Sequence, residues 1–252
     1  MPRGPRKRSS SGVYHVMLRG INRQLIFESD DDRYQFLSIL KHLVDGKKCI
    51  IYGYCLMDNH VHILIQELED DISTVIKRLS ASYVLWYNKK YERCGHLFQE
   101  RFKSEPVESD PYFMSALRYI HQNPLEARIC QEILDYKWTS YKEYIKDPII
   151  VDVELCLSLF SLNRDKALEM FVEYMNEKND DEFPVFKEYV KLNDSEVLDK
   201  IRGLGVKNIS DFQKLEINLR NRYLRELKRT KGISIRQLAR VTGFSKATIE
   251  KI

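Results

Sequence analysis

The sequence predicts an α+β domain followed by an all-α region, and three observations carry that prediction. Short apolar runs of strand character alternate with helix-period segments as far as about residue 124. Turn residues bound each short run, as at Arg19-Gly20 and Asp58-Asn59. After Val153 no strand pattern is evident, and helical periods take over from about residue 148.

Each element follows in order. Residues 1–12 are basic and rich in Ser and Gly, and read as a flexible arm. Val13–Leu18 is a strand. Asp30 to about Gly46 is an amphipathic helix: Phe36, Leu37, Leu40 and Leu43 recur at helical spacing, and Asp30–Asp32 suit its positive N-terminal end. Cys49–Met57 is an apolar strand, Asp58-Asn59 a turn, and His60 opens the next strand. A long helix spans Ile72 to about Tyr91, with Ile72, Val75, Ile76, Leu79, Tyr83 and Trp86 on its apolar side. A loop with Gly95 leads to a short strand around Arg101–Val107. Asp110-Pro111 starts another helix, since proline in the first turn gives up an N–H that has no partner anyway. That helix runs from Tyr112 to about Gln122 and ends at Asn123-Pro124, because proline disfavours the helical conformation in the residue before it. The order β-α-β-β-α-β-α is ferredoxin-like: a four-stranded antiparallel sheet with helices on one face. Asn163, the acidic stretch Asn179–Glu182 and Pro184 break the later helices. The boundaries expected are 13–147 for the α+β domain, 148–218 for a helical linker or auxiliary region, and 219–252 for a terminal helical unit.

Composition narrows the function classes. With 31% charged and 43% hydrophobic residues, the 252-residue chain is that of a soluble globular protein. The net charge of +4 is mild, but basic residues cluster at Arg3, Arg6, Lys7 and Arg8 and again from Arg220 through Arg222, Arg225, Lys228 and Arg229 to Lys231. Such clusters suit phosphate contacts, although a solvated helix face explains most of them singly. Five cysteines without a CxxC pair argue against a disulfide framework and a zinc ribbon, and for a reducing compartment. No run of 18 apolar residues and no apolar leader is found, so a cytosolic protein with no membrane partner is expected.

Two places carry chemistry. In Asp58-Asn59-His60-Val61-His62-Ile63-Leu64-Ile65, alternation along a strand puts His60 and His62 on one face. Their Cα atoms lie about 6.5–7 Å apart at a rise of roughly 3.3 Å per residue, so both imidazoles reach one divalent cation. A pair of half-exposed polar histidines has the same pattern. In Arg118-Tyr119-Ile120-His121-Gln122-Asn123-Pro124, Tyr119 and Asn123 share a helical face. A phenol is a poor nucleophile at neutral pH, but beside a metal-polarised phosphate it can attack phosphorus, with His60, His62 and an Asn123 oxygen holding the metal. Among 15 tyrosines, an amphipathic core tyrosine is the commoner role.

Five blocks, taken together, resemble one family. They are Tyr14-His15-Val16 with Arg19-Gly20 and Asn22-Arg23; His60-Val61-His62-Ile63-Leu64; His96-Leu97-Phe98-Gln99 with Arg101-Phe102; Arg118-Tyr119-Ile120-His121-Gln122-Asn123-Pro124 with Ala127; and Trp138-Thr139-Ser140-Tyr141. Over about residues 10–145 the chain resembles the single-tyrosine HUH transposase superfamily, in particular the REP-associated tyrosine transposases. The resemblance implies a ferredoxin-like catalytic domain that binds single-stranded, often hairpin-bearing DNA. It implies a helix-borne tyrosine that leaves a 5′-phosphotyrosine and a free 3′-OH, and Mg²⁺ or Mn²⁺ on the two histidines. Carried over, the nucleophile is Tyr119 and the metal ligands are His60, His62 and Asn123. Insertion-sequence members usually carry glutamine at the place of Asn123.

Arg19, Arg23, Arg101 and Lys103 are candidate phosphate contacts. His96 is given no role. Tyr83, Trp86 and Tyr87 have the chemistry to stack on bases, but their helical spacing favours the core, at least for Tyr83 and Trp86. Near the end, Ile235 to Ile249 fits a helix-turn-helix: Ala239 is small where two helices cross, Gly243 makes the turn, and Leu238, Ile249 and Ile252 face inward. Ser245 caps the second helix, so Ser245, Lys246 and Thr248 are the residues expected at duplex DNA. An ordinary pair of packed helices is the alternative. Three functions suit these residues: a metal-dependent strand transferase, a non-catalytic DNA-binding regulator on the same scaffold, and a small-substrate hydrolase with Asp58 as base. His60, His62 and Tyr119 together favour the first. Nothing in the sequence decides between monomer and homodimer.

Overall fold

A computed structural model describes residues 6–99, 101–178, 183, 192, 194–230 and 232–252. Arg3, the stretch Asn179–Glu182, Pro184 and Lys231 lie outside the described residues. The chain divides into two compact units, Met1–Phe186 and Lys187–Ile252.

The first unit is built on β1 (Val13–Arg19), α1 (Asp30–Asp45), β2 (Cys49–Met57), β3 (His60–Glu67), α2 (Ile72–Lys90), β4 (Lys103–Pro106) and α3 (Asp110–Glu126). The strands form one antiparallel sheet in the order β2-β3-β1-β4, as the βαββαβ order requires. Helix α1 starts at a reciprocal cap between Ser29 and Asp32, and Asp71 caps α2 through the amides of Ser73 and Thr74. Tyr83 and Tyr87 are fully buried on α2, so the core claims them. Trp86 is only partly buried; its ring packs against Tyr83.

Three expectations change. First, helices do not keep to one face. Val61, Ile63 and Ile65 point away from the histidines and are completely buried, while α3 lies over the histidine face itself. Its Leu117 approaches Gly53 so closely that a Cβ there would sit 2.4 Å from Leu117 Cδ1, so any larger residue at 53 would force Leu117 to shift. Second, α3 does not end at Asn123 but runs through Pro124 to Glu126. Proline gives up one bond near the helix end, and the Ala127 N–H still reaches the Asn123 carbonyl. Third, residues 6–12 are held rather than loose. The Arg6 guanidinium lies over the Phe102 ring and donates to Ser73 and the Phe102 carbonyl, and Ser10 and Ser11 bond to Glu108 and the Val107 carbonyl.

The unit also extends past residue 147. After α4 (Tyr141–Ile145), whose Tyr144 is in the core, α5 (Glu154–Ser158) and α6 (Arg164–Asn176) join it with Val153, Leu157 and Phe171. The Glu143 carboxylate accepts from the amides of Ile149, Ile150 and Val151, seating that stretch beside β2. The helical region expected at 148–218 is therefore divided between the two units.

The second unit holds α7 (Asp194–Gly203), α8 (Ile209–Lys214), α9 (Ile217–Arg229), α10 (Ile235–Thr242) and α11 (Lys246–Lys251) around Val197, Ile201, Phe212, Leu224, Leu238 and Ile249. Between α10 and α11 Gly243 takes φ +76°, and Ser245 caps α11 at the Thr248 amide. Among the described residues no helix is long and apolar enough to cross a membrane.

Candidate functional site

Strand register assembles the site. His60 pairs with Arg19, His62 with Met17, and Leu64 with His15, so His15, His60 and His62 share one sheet face. His15 Nε2 and His62 Nδ1 are hydrogen-bonded at 2.9 Å, and both side chains are buried. Burial pushes His15 down to about 3. It also drives His62 well below the usual histidine value, helped by His15, His60, Lys103 and Arg19. Both rings are neutral at physiological pH. His60 is oriented by its neighbour: the Asn59 amide nitrogen donates to the Arg23 carbonyl, which turns Asn59 Oδ1 toward His60 Nδ1 at 2.6 Å. His60 Nδ1 therefore donates to the Asn59 oxygen.

Helix α3 brings Tyr119 to this face. The Tyr119 ring centroid lies 5.4 Å from that of His62 and 5.7 Å from that of His15, both edge-on. The Phe183 ring packs on it at 4.6 Å. Asn123 is one turn further along, largely buried, with its amide nitrogen donating to the Tyr119 carbonyl at 2.9 Å. That bond leaves the Asn123 oxygen as the atom to offer a ligand. The residues around Tyr119 fasten the helix. His121 Nε2 bonds to Ser140 Oγ, which also accepts from the Tyr54 amide, and Gln122 donates to the carbonyls of Met175 and Glu177.

The donor set can be tested against a cation. Among the described residues no group of three or more His, Cys, Asp or Glu side chains forms a metal cluster. His60 and the neutral His62, each with Nδ1 engaged by a second group, nevertheless fit the usual pattern of metal-binding histidines. An ion held there would need oxygen ligands besides the two rings, and Asn123 Oδ1 is the protein oxygen left to offer one. Asp58 does not join this set as a base: it is ion-paired with Arg33.

The other expected residues are distributed. Arg19 stands in the row of His60, and Lys103 pairs with Met17 in the row of His62, so both cations flank the histidine face. Arg23 sits in a tight loop at φ +62°, next to Asn22 at +50°. Arg101 is exposed just before β4. Ser245, Lys246 and Thr248 belong to the second unit: the Ser245 and Thr248 hydroxyls bond to each other, and exposed Lys246 pairs with Glu250. In the basic run, Arg225 and Lys228 bond to carbonyls of residues 249–252, and Arg220 lies over Phe244. Sequence reasoning gave no role to His15, Gln122 or Phe183. A histidine inside an apolar strand was the available signal for His15; nothing in the sequence pointed to Phe183.

Residues 8–123 match the family model described as transposase IS200 like. The chain is similar to a solved REP-associated tyrosine transposase bound to a REP hairpin. The TM-score is 0.50 at 16% identity, over 59% of this chain and 88% of that one, which is a likeness of fold. A protein described as a candidate transposase from Deinococcus radiodurans R1 aligns at 17% identity over 54% of this chain and 97% of its own, with a TM-score of 0.34. No curated protein matches the sequence.

Proposed function

Because residues 8–123 carry a domain of the IS200-like transposase family, we propose that this chain is a metal-dependent DNA strand transferase that cuts and rejoins single-stranded, hairpin-bearing DNA through Tyr119. The observation that carries the reading is the convergence of Tyr119 with His62 and His15 on the face that also bears His60. The similar structure with a bound REP hairpin supports hairpin DNA as the substrate class.

In this reading the Tyr119 oxygen attacks the scissile phosphorus. A P–O(Tyr) bond forms and the P–O3′ bond breaks. The phenol gives up a proton and the departing 3′ oxygen gains one. One phosphodiester replaces another, so the bond is conserved and a 3′-OH can reverse the step on a second strand. Bound at His60, His62 and Asn123, Mg²⁺ or Mn²⁺ supplies Lewis-acid polarisation of the phosphate. The protein's own share is placement: His15 and Asn59 fix the two ligand rings, and Arg19 and Lys103 put positive charge beside the same face for the DNA backbone. Arg23 and Arg101 are assigned to flanking phosphates. The pair α10–α11 is read as a helix-turn-helix that docks duplex DNA or a hairpin stem through Ser245, Lys246 and Thr248.

The test is cleavage of a library of labelled single-stranded hairpins with Mg²⁺ or Mn²⁺. The expected result is a covalent protein–DNA adduct on denaturing gels that is absent with EDTA and in Tyr119→Phe. Cleavage that survives Tyr119→Phe contradicts the mechanism. Tight binding with no adduct for any hairpin makes the chain a DNA-binding regulator instead.

A further inference from the structure

We propose that the end of α6 and Phe183, which both lie beyond the family segment at 8–123, act as positioning elements that aim Tyr119. The proposal rests on Tyr119 being the nucleophile. Arg118 and Gln122 stand on either side of Tyr119 in the sequence of α3, both largely buried, and both are anchored to the end of α6. Gln122 Nε2 donates to the Met175 and Glu177 carbonyls, each at 2.7 Å. Carbonyls at a helix C-terminus have no partner within the helix, so one side-chain amide satisfies groups that otherwise need water. Arg118 pairs with Glu177 at 3.0 Å, and its guanidinium lies 4.2 Å from the Tyr174 ring centroid. His121 makes a separate attachment, through Ser140 to the backbone of β2.

These attachments resist rotation of α3 about its axis, the motion that matters most for Tyr119. The phenol oxygen is roughly 9 Å from the axis, from a Cα radius of about 2.3 Å plus the length of the side chain. A rotation of about 10° therefore shifts it by about 1.5 Å, and a 1 Å misplacement can cost on the order of a hundredfold in rate. Phe183 is buried and its ring lies 4.6 Å from that of Tyr119, 5.7 Å from His15 and 5.7 Å from Tyr112. Rings from two strands and from Phe183 thus bear on the Tyr119 ring and hold its side-chain torsions.

Two readouts test this in the full chain. The first needs no DNA: 3-fluorotyrosine labelling, with the Tyr119 ¹⁹F resonance identified by its loss in Tyr119→Phe. In Gln122→Met and Phe183→Ala that resonance moves toward the position of an exposed tyrosine, while those of tyrosines remote from α3 and Phe183 hold still; in Phe183→Tyr, which adds one resonance of its own, it stays near its original position. A Tyr119 resonance unmoved in both disrupting variants overturns the proposal. The second is single-turnover adduct formation on the best hairpin of the library. Gln122→Met and Phe183→Ala lower the rate about tenfold or more at unchanged DNA affinity, and Phe183→Tyr restores it. A faster rate in Phe183→Ala means that the ring obstructs rather than aims, and also overturns the proposal. If no hairpin yields an adduct, the strand-transfer reading fails on its own and the fluorine experiment still decides the role of Gln122 and Phe183.

Discussion

The histidine face of the first unit and the α10–α11 turn of the second handle polar groups in opposite ways. In the first unit His15 and His62 are buried and bonded to each other across two strands, and Asn59, one residue before His60, orients that ring. In the second unit Ser245, Thr248, Lys246 and Glu250 are exposed, and all their mutual contacts lie within four residues of one another. Buried groups fixed across a sheet are what bond-making needs, because a small displacement there costs rate. On the proposed reading of the second unit, surface cations on short helices suffice for duplex phosphates, whose attraction is long-range and screened by salt.

Four substitutions sharpen that contrast, from the largest effect to the smallest. His15→Gln leaves His60, His62 and Tyr119 in place but removes the ring that orients His62. The Mg²⁺ or Mn²⁺ concentration giving half-maximal adduct formation is expected to rise about 10- to 100-fold, as for other groups that hold a metal ligand in position. Equal metal requirement in the variant means that His15 is merely packed there.

Asp32→Ala tests the scaffold of the first unit. The Asp32 side chain is buried and accepts from Lys90, Tyr91 and the amides of Glu28 and Ser29. Burial alone raises its pKa, but the bonds from Lys90, Glu28, Tyr91 and Ser29 outweigh it and hold the carboxyl below 3.8. Since the folded value is depressed, its stabilisation is present above about pH 3.8 and is lost as pH falls through the folded value. Thermal unfolding at pH 7 should show a loss of about 2–3 kcal/mol, from hydrogen bonds to a charged acceptor. The transition of the second unit should not move.

Gly243→Ala addresses the second unit. Its φ of +76° disfavours a side chain, and a new Cβ would sit 2.5 Å from Gln213 Nε2, which has to shift. A loss of about 1 kcal/mol is expected in the second unit's unfolding, with adduct formation on single strands unchanged. Lys246→Ala removes one surface cation. Duplex affinity should fall only a few-fold at low salt, and the slope of log K against log salt should shrink by about one. A loss confined to one duplex sequence assigns Lys246 to a base edge instead.

Local rules made much of this legible beforehand. The alternation in His60-Val61-His62 fixed which side chains share a face, and the turn at Asp58-Asn59 fixed where β3 begins. The end of α3 departs from the local rule for Pro124 because tertiary support overrides it: Gln122 and Asn123 are buried, and Gln122 is bonded to the carbonyls of Met175 and Glu177, which carries the helix one turn further. The role of His15 was hidden for another reason. Its partner His62 is 47 positions away, and their pairing depends on strand order. Phe183 lies 64 positions from Tyr119 and follows no periodic pattern, so its contact is a product of tertiary folding alone.

The measurement that bears most directly on the account is the identity of the residue that becomes attached to DNA. A chain incubated with a cleavable hairpin and Mn²⁺, digested with protease and nuclease, should yield by mass spectrometry one peptide carrying a nucleotide 5′-phosphate on Tyr119. The same nucleotide on another tyrosine, or a free 5′-phosphate end with unmodified Tyr119, contradicts it.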